Sequence, residues 1–177
     1  MVLTRVTFFA SRRPLIFQSI VSGCIAASGD AMSQLVIEGT TLDRYDVVRT
    51  SRFAFLGTFL VAPVLFHWFR TLDRLRFGPP VLHPVQRVLV DQLLFGPVFS
   101  TCWLTSLRIL EGRSWEDNFK LLQRDWWPLW KTGLCFWPIV QLLNFTFVPL
   151  NNRVITTNAA GLIWNCYISF KTQKAVI

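Results

Sequence analysis

The fold is decided by residues 126–169, which read WWPLWKTGLCFWPIVQLLNFTFVPLNNRVITTNAAGLIWNCYIS. The central part of this stretch, Thr132–Leu150, holds 19 residues without a charged side chain. A helix rises about 1.5 Å per residue, so this segment matches the roughly 30 Å thickness of the hydrocarbon core of a bilayer. Tryptophans crowd the beginning of the stretch, as is typical of helix ends at a lipid–water boundary. The pattern predicts a membrane-spanning helix.

This segment also contains residues that a helix surrounded only by lipid does not need. They are Gln141, Asn144, Pro138 and Pro149. Polar side chains and prolines are tolerated in a membrane helix where they face other helices or a polar cavity. We therefore expect this helix to lie against protein partners or a hydrated interior.

The composition of the whole chain agrees with a membrane protein. Of 177 residues, 52% are hydrophobic and only 16% are charged, whereas about a quarter of the residues in an ordinary soluble domain are charged. The net charge is +8, which favours contact with anionic lipids or anionic solutes. The basic residues are scattered between apolar segments rather than gathered in a stripe, so we expect no direct binding to nucleic acid.

We predict an all-α fold, an integral membrane helical bundle of four to five kinked transmembrane helices plus an amphipathic interfacial helix. The predicted spans are Leu15–Ile37, Phe53–Phe69, Val88–Leu107, Thr132–Leu150 and Val154–Phe170. Pro63 and Pro97 are expected to bend the second and third spans. One transmembrane domain over residues 15–170 follows, with a basic flank at 1–14 and a short tail at 171–177.

The interfacial helix is predicted over Ser114–Trp130. Ser114 is a suitable N-cap, with Asp117 three residues later. Apolar residues follow at helical spacing: Trp115, Phe119, Leu122 and Trp126. This pattern is typical of a helix that lies in the membrane surface. We expect Pro128 to end it and to turn the chain into the fourth span.

Two acidic residues are predicted to lie at membrane depth, Asp30 in the first span and Asp91 in the third. Burying a carboxylate there costs about 2.5–3.5 kcal/mol, so each needs water or a partner. One hypothesis is that both face a common hydrated interior, with Arg153 and the loop arginines as counter-charges. The alternative is a hydrogen-bonded contact with another helix. The candidate pore-lining or intramembrane polar residues are Asp30, Gln34, Asp91, Gln92, Gln141 and Asn144.

The first span also carries a row of small residues at helical spacing, Ser22, Ala26, Gly29 and Ser33. Small residues let membrane helices approach closely, so this row predicts a helix–helix contact.

No pattern indicates an enzyme, a metal site or a bound cofactor. The chain has neither a glycine-rich phosphate loop nor a metalloprotease motif, and we expect no catalytic residue. Its four cysteines lack zinc-ligand spacing and fall in apolar segments, where we expect them to be small buried side chains.

The first residues are basic and contain no acid, which resembles a mitochondrial targeting end. A secretory signal and a simple basic flank are the alternatives.

The chain resembles the Mpv-seventeen / peroxisomal membrane protein family, whose members are small four-span proteins of mitochondrial inner and peroxisomal membranes. The resemblance lies in a C-terminal signature of Trp137, Pro138, Gln141, Asn144, Phe145, Val148, Pro149, Arg153, Trp164, Tyr167 and Ser169. Shorter matches, such as Gly29-Asp30, Leu72-Asp73 and Asp91-Gln92, extend it over residues 29–170. Phe69 and Ile168 depart from the usual tyrosine and leucine but keep bulk and apolarity.

The resemblance implies a weakly selective channel for small solutes, linked to metabolite balance, to control of reactive oxygen and to maintenance of mitochondrial DNA. The last link would be indirect, through supply of metabolites, nucleotides among them. The implied location is the mitochondrial inner membrane, with the peroxisomal membrane as the alternative. A structural protein that organises a membrane complex without transport is the competing function. Membrane lipids and small solutes are the expected partners, and either one subunit or a homo-oligomer would enclose the path.

Overall fold

The computed structural model describes the backbone of residues 11–174 and the side chains of residues 11–166, and within this part the chain is helical and without strands. Its long helices are α1 Pro14–Ile37, α2 Val47–Asp73, α3 Pro80–Leu110, α4 Trp115–Phe147 and α5 Arg153–Lys174. The predicted all-α fold is thereby confirmed. The predicted targeting segment lies mostly outside the described residues.

Three of the described helices, α1, α2 and α3, are long and apolar enough to cross a membrane. They contain the first three predicted spans. α4 and α5 have sufficient length, but amides, prolines and flanking charges make them more polar. Whether the fourth and fifth predicted segments also span the membrane remains a prediction.

Each of the three apolar helices contains a wider π-helical turn, at Ser33–Ile37 in α1, Gly57–Val61 in α2 and Asp91–Phe95 in α3. In α2 and α3 this turn lies just before a proline, Pro63 or Pro97. Proline has no N–H and crowds the preceding turn of an α-helix. A turn with one extra residue relieves this crowding, so both helices continue through their prolines.

The expectation that Pro128 ends an interfacial helix is wrong. α4 runs without interruption for 33 residues, with Pro128 and Pro138 inside it, and therefore joins the predicted interfacial helix to the predicted fourth span. One proline removes one backbone hydrogen bond, which is a small part of so long a helix. The beginning of α4 is as expected, because the Ser114 Oγ accepts a hydrogen bond from the Asp117 N–H at 3.1 Å.

The described residues divide into two compact units, residues 11–66 with 154–174 and residues 67–153. In the first unit α1 and α2 cross at small residues. A Cβ atom added to Gly57 would lie 2.9 Å from both the Ser22 carbonyl oxygen and the Ala26 Cβ. Ser22 and Ala26 of the predicted row therefore form a close contact with α2.

The core of the second unit is built around aromatic and aliphatic side chains of α2 and α4. Phe69 and Leu72 are 1% and 0% exposed. The rings of Phe69 and Phe145 meet edge to face with centroids 5.6 Å apart. This packing places the end of α2 against the C-terminal half of α4.

Candidate functional site: two buried polar clusters

The first cluster, the Asp30 cluster, joins α1 to the beginning of α2. Asp30 is 2% exposed. Its Oδ2 accepts hydrogen bonds from the Gln34 Nε2 at 2.8 Å and from the Thr50 Oγ1 at 2.6 Å. Its Oδ1 forms an ion pair with the Arg49 Nε at 2.8 Å. The predicted role of a loop arginine as counter-charge is confirmed for this aspartate.

Arg49 and Gln34 extend the Asp30 cluster to the loop between the helices. The two terminal nitrogens of Arg49 donate to the two carboxylate oxygens of Glu38, both at 2.8 Å. The Gln34 Oε1 accepts a hydrogen bond from the Asp46 N–H at 2.8 Å. Asp46 in turn caps α2, because its Oδ1 accepts from the Arg49 N–H at 2.8 Å. The cluster therefore fixes how the chain enters α2.

The second cluster, the Asp91 cluster, connects α2, α3 and α4 in the second unit. Asp91 is 2% exposed and begins the π-helical turn of α3. Its Oδ1 accepts a hydrogen bond from the Trp68 Nε1 at 2.7 Å. Its Oδ2 accepts from the Gln92 Nε2 at 2.8 Å and from the Gln141 Nε2 at 3.2 Å. None of the ion pairs found among the described side chains includes Asp91, so its donors are neutral.

Amides carry the Asp91 cluster further into α4. Asn144 is fully buried, and its Nδ2 donates to the Gln141 Oε1 at 3.1 Å and to the Arg153 carbonyl oxygen at 3.3 Å. A continuous row of hydrogen bonds thus leads from Asp91 to the beginning of α5. Four of the six candidate polar residues meet here: Asp91, Gln92, Gln141 and Asn144.

The other two candidates, Asp30 and Gln34, belong to the first unit. The hypothesis of a common hydrated interior stays a prediction. The Arg153 guanidinium, which was a candidate counter-charge, forms an ion pair with Asp73 at 3.0 Å. Each carboxylate oxygen of the two acids has a direct protein contact, which for the Asp30 Oδ1 is the ion pair with Arg49.

The signature residues lie mostly near the second cluster. Trp137 and Pro138 lie on α4, and the Arg153 guanidinium lies over the Phe145 ring at 5.5 Å. Pro149 precedes a short helical turn, Leu150–Asn152. Further along the chain, Trp164 is half-buried on α5, and the side chains of Tyr167 and Ser169 lie outside the described side chains.

The expectation for the cysteines is mostly wrong. Cys24, Cys102 and Cys135 are exposed, and only Cys166 is half-buried. Their neighbours in sequence are apolar because a membrane helix carries apolar residues on the face that meets lipid as well as in its core.

Sequence reasoning missed Trp68 as a partner of Asp91, and it did not identify Arg49 as the particular loop arginine that pairs with Asp30. Trp68 is 23 residues from Asp91 and Arg49 is 19 residues from Asp30. No local pattern relates positions that far apart in a helical protein. The one available signal was Asp46 at the start of α2, which predicts a helix whose first turn places Arg49 beside the preceding loop.

Comparison with known proteins gives consistent matches over most of the chain. Residues 108–169 match the sequence profile of the Mpv17 / PMP22 family. The mitochondrial inner membrane protein Mpv17 of Caenorhabditis elegans is 40% identical over 163 residues, 92% of this chain and 88% of the relative. Mpv17 of Mus musculus is 35% identical over 91% of this chain and 92% of the relative. Protein sym1 of Aspergillus oryzae is 36% identical over 90% and 91%, respectively. No solved structure matches the chain.

Proposed function

Because the chain belongs to the Mpv17 / PMP22 family and is a multi-pass protein of the mitochondrial inner membrane, we propose that it forms a pathway for small solutes through that membrane. The solutes are metabolites, nucleotides among them, and the link to mitochondrial DNA is through their supply. The proposal includes no catalytic step. It replaces the peroxisomal alternative, since the relatives named above that carry a location are inner-membrane proteins.

The observation that carries this proposal is the Asp91 carboxylate, buried in an apolar helix with neutral donors around it. At membrane depth a carboxylate costs about 2.5–3.5 kcal/mol on insertion scales. Its donors are the N–H groups of Trp68, Gln92 and Gln141, which carry no charge to offset that cost. A carboxylate in this position supports a role beyond joining α3 to α4, and setting the charge selectivity of a solute path is such a role.

In this proposal the path is closed at Asp91. Asp91 is only 2% exposed, and its oxygens are occupied by Trp68, Gln92 and Gln141. A solute path that passes Asp91 requires Gln141 to move away from it, so the contact between α3 and α4 is the proposed gate.

The test is electrical recording from the purified full chain in planar bilayers. The wild type is expected to give discrete conductance steps, and Asp91→Asn is expected to alter their size or the cation-to-anion permeability ratio. Asp43→Asn is the matched control, because Asp43 lies exposed in the loop between α1 and α2. A folded wild type without conductance, or equal changes in both variants, would refute the pathway. The mass of the conducting complex distinguishes one subunit from a homo-oligomer.

A structural protein that organises a membrane complex is the second candidate, favoured by the direct partners of both acids. In that case the polar residues join helices and carry no solute. Asp91→Asn would then change thermal stability alone, and no preparation would conduct.

A further inference from the structure

One buried charge cluster takes no part in the proposed pathway. It consists of Asp73 at the end of α2, Arg87 near the beginning of α3 and Arg153 at the beginning of α5. The terminal nitrogens of Arg87 and Arg153 lie 3.1 and 3.0 Å from the same oxygen, the Oδ1 of Asp73. We call these three residues the Asp73 cluster.

The charges of the Asp73 cluster do not balance. Two guanidinium groups share one carboxylate, which leaves one net positive charge. The side chain of Arg87 is only 9% exposed, and burying a guanidinium is costly. Arg87 shares the Asp73 carboxylate with Arg153, so this contact offsets that cost only in part.

The surroundings add further positive charge. Residues 67–90 contain four arginines, Arg70, Arg74, Arg76 and Arg87, and one acid, Asp73. Arg76 is exposed and close enough to Arg87 to repel it electrostatically. Arg70 lies on the same end of the second unit, since its guanidinium approaches the Asn151 Oδ1 at 3.4 Å. The field at this end therefore attracts anions.

The cluster has donors and access for such an anion. The Arg87 Nε is buried and has no hydrogen-bond partner among the described residues. The Asp73 side chain is 29% exposed, so the cluster opens to the surface there. All three residues lie at or near helix ends, which is where lipid head groups and aqueous solutes meet a membrane protein.

We propose that the Asp73 cluster binds a phosphate group, with Arg76 strengthening the attraction from outside. The planar guanidinium fork matches a phosphate better than any other side chain does. The phosphate belongs either to the head group of an anionic phospholipid or to a free phosphorylated solute. The inference is independent of the solute pathway, because binding is measured without flux.

The experiment uses the full chain in nanodiscs of phosphatidylcholine and measures the midpoint of thermal unfolding. Two probes are compared: inorganic phosphate added to the buffer, and replacement of part of the lipid by phosphatidylglycerol. A rise in the midpoint with either probe supports the site. A response to phosphate identifies a free phosphate ligand, and a response to phosphatidylglycerol alone identifies a head group.

Two variants connect the response to the cluster. Arg87→Lys keeps the charge but loses the fork, and should weaken the apparent affinity about tenfold, as expected for one lost charge-assisted hydrogen bond. Arg76→Gln should weaken the apparent affinity about threefold. Because Arg76 is exposed, this change should leave the fold intact.

The matched control is Arg113→Gln, because Arg113 is exposed and lies 3.9 Å from Glu111, away from the cluster. If Arg87→Lys does not fold, the comparison of Arg76→Gln with the wild type tests whether the Asp73 cluster binds phosphate. No midpoint shift with either probe, or equal losses in Arg76→Gln and Arg113→Gln, would overturn the proposal.

Discussion

Arg49 forms an ion pair with Asp30, with 2.8 Å between the Arg49 Nε and the Asp30 Oδ1, and this pair joins the beginning of α2 to α1. The two partners differ in exposure, since the side chain of Asp30 is 0% and that of Arg49 33% exposed. Removing the arginine therefore leaves a fully buried carboxylate without its counter-charge.

We expect Arg49→Gln to lower the free energy of unfolding by about 3 kcal/mol, at the lower end of the range for a broken buried pair because Arg49 is partly hydrated. The measurement is thermal or denaturant unfolding in detergent. Arg44→Gln, at an exposed arginine in the same loop, is the control and should change little. Asp30→Asn in the Arg49→Gln background should cost less than Asp30→Asn alone, since the two losses share one interaction.

Gly57 is expected to tolerate no side chain. A Cβ there would lie 2.9 Å from both a backbone oxygen of α1 and the Ala26 Cβ. Gly57→Ala should therefore destabilise the protein by about 1–3 kcal/mol through overpacking.

Gly29→Ala is the matched control for Gly57→Ala, because a Cβ at Gly29 would meet Leu162 at an ordinary 3.5 Å. The two variants are compared by their unfolding midpoints in detergent. Equal midpoints would show that α1 and α2 do not cross at Gly57.

Trp68→Phe tests the hydrogen bond to Asp91 separately from the aromatic packing. The Trp68 ring stacks on Phe95 with centroids 4.5 Å apart, and phenylalanine retains much of that contact. Loss of the N–H leaves the Asp91 Oδ1 without its donor and should cost about 1.5–3 kcal/mol. The readout is unfolding in detergent. Trp115→Phe is the control, because the Trp115 side chain is 73% exposed, and it should leave the stability unchanged. A similar loss of stability in this control would argue against a specific hydrogen bond between Trp68 and Asp91.

Pro128→Ala tests the continuity of α4. Since Pro128 lies inside the helix, alanine restores a backbone hydrogen bond and should slow amide hydrogen exchange around this position. Stability should rise by as much as about 3 kcal/mol. Faster exchange or a less stable protein would mean that the helix ends at Pro128.

The sequence was informative where the signal is local. Continuous apolar length predicted α1, α2 and α3, although α2 begins six residues before the predicted Phe53 because a polar first turn does not prevent a helix. Asp30 and Gln34 are four residues apart, so helical spacing places them on one face of α1, and the Gln34 Nε2 lies 2.8 Å from the Asp30 Oδ2.

The sequence was not informative where the contact is distant or the environment differs from water. Gln141 is 50 residues from Asp91, and only the packing of α4 on α3 brings the two together. Pro128 was expected to end a helix, but α4 continues through it, because one missing backbone hydrogen bond is a small part of a helix of 33 residues. The exposure of three cysteines was missed because apolar patterning does not separate a lipid-facing surface from a core.

The π-helical turn at Asp91–Phe95 has a mechanical consequence for α3. Its extra residue is a register defect, and returning that turn to α geometry rotates everything beyond it by one residue, about 100° of helix rotation. Such a slip leaves nearly all backbone hydrogen bonds of α3 in place, so it requires no unfolding. The two halves of α3 would then rotate relative to each other about the helix axis, and Asp91 lies at the point where they meet.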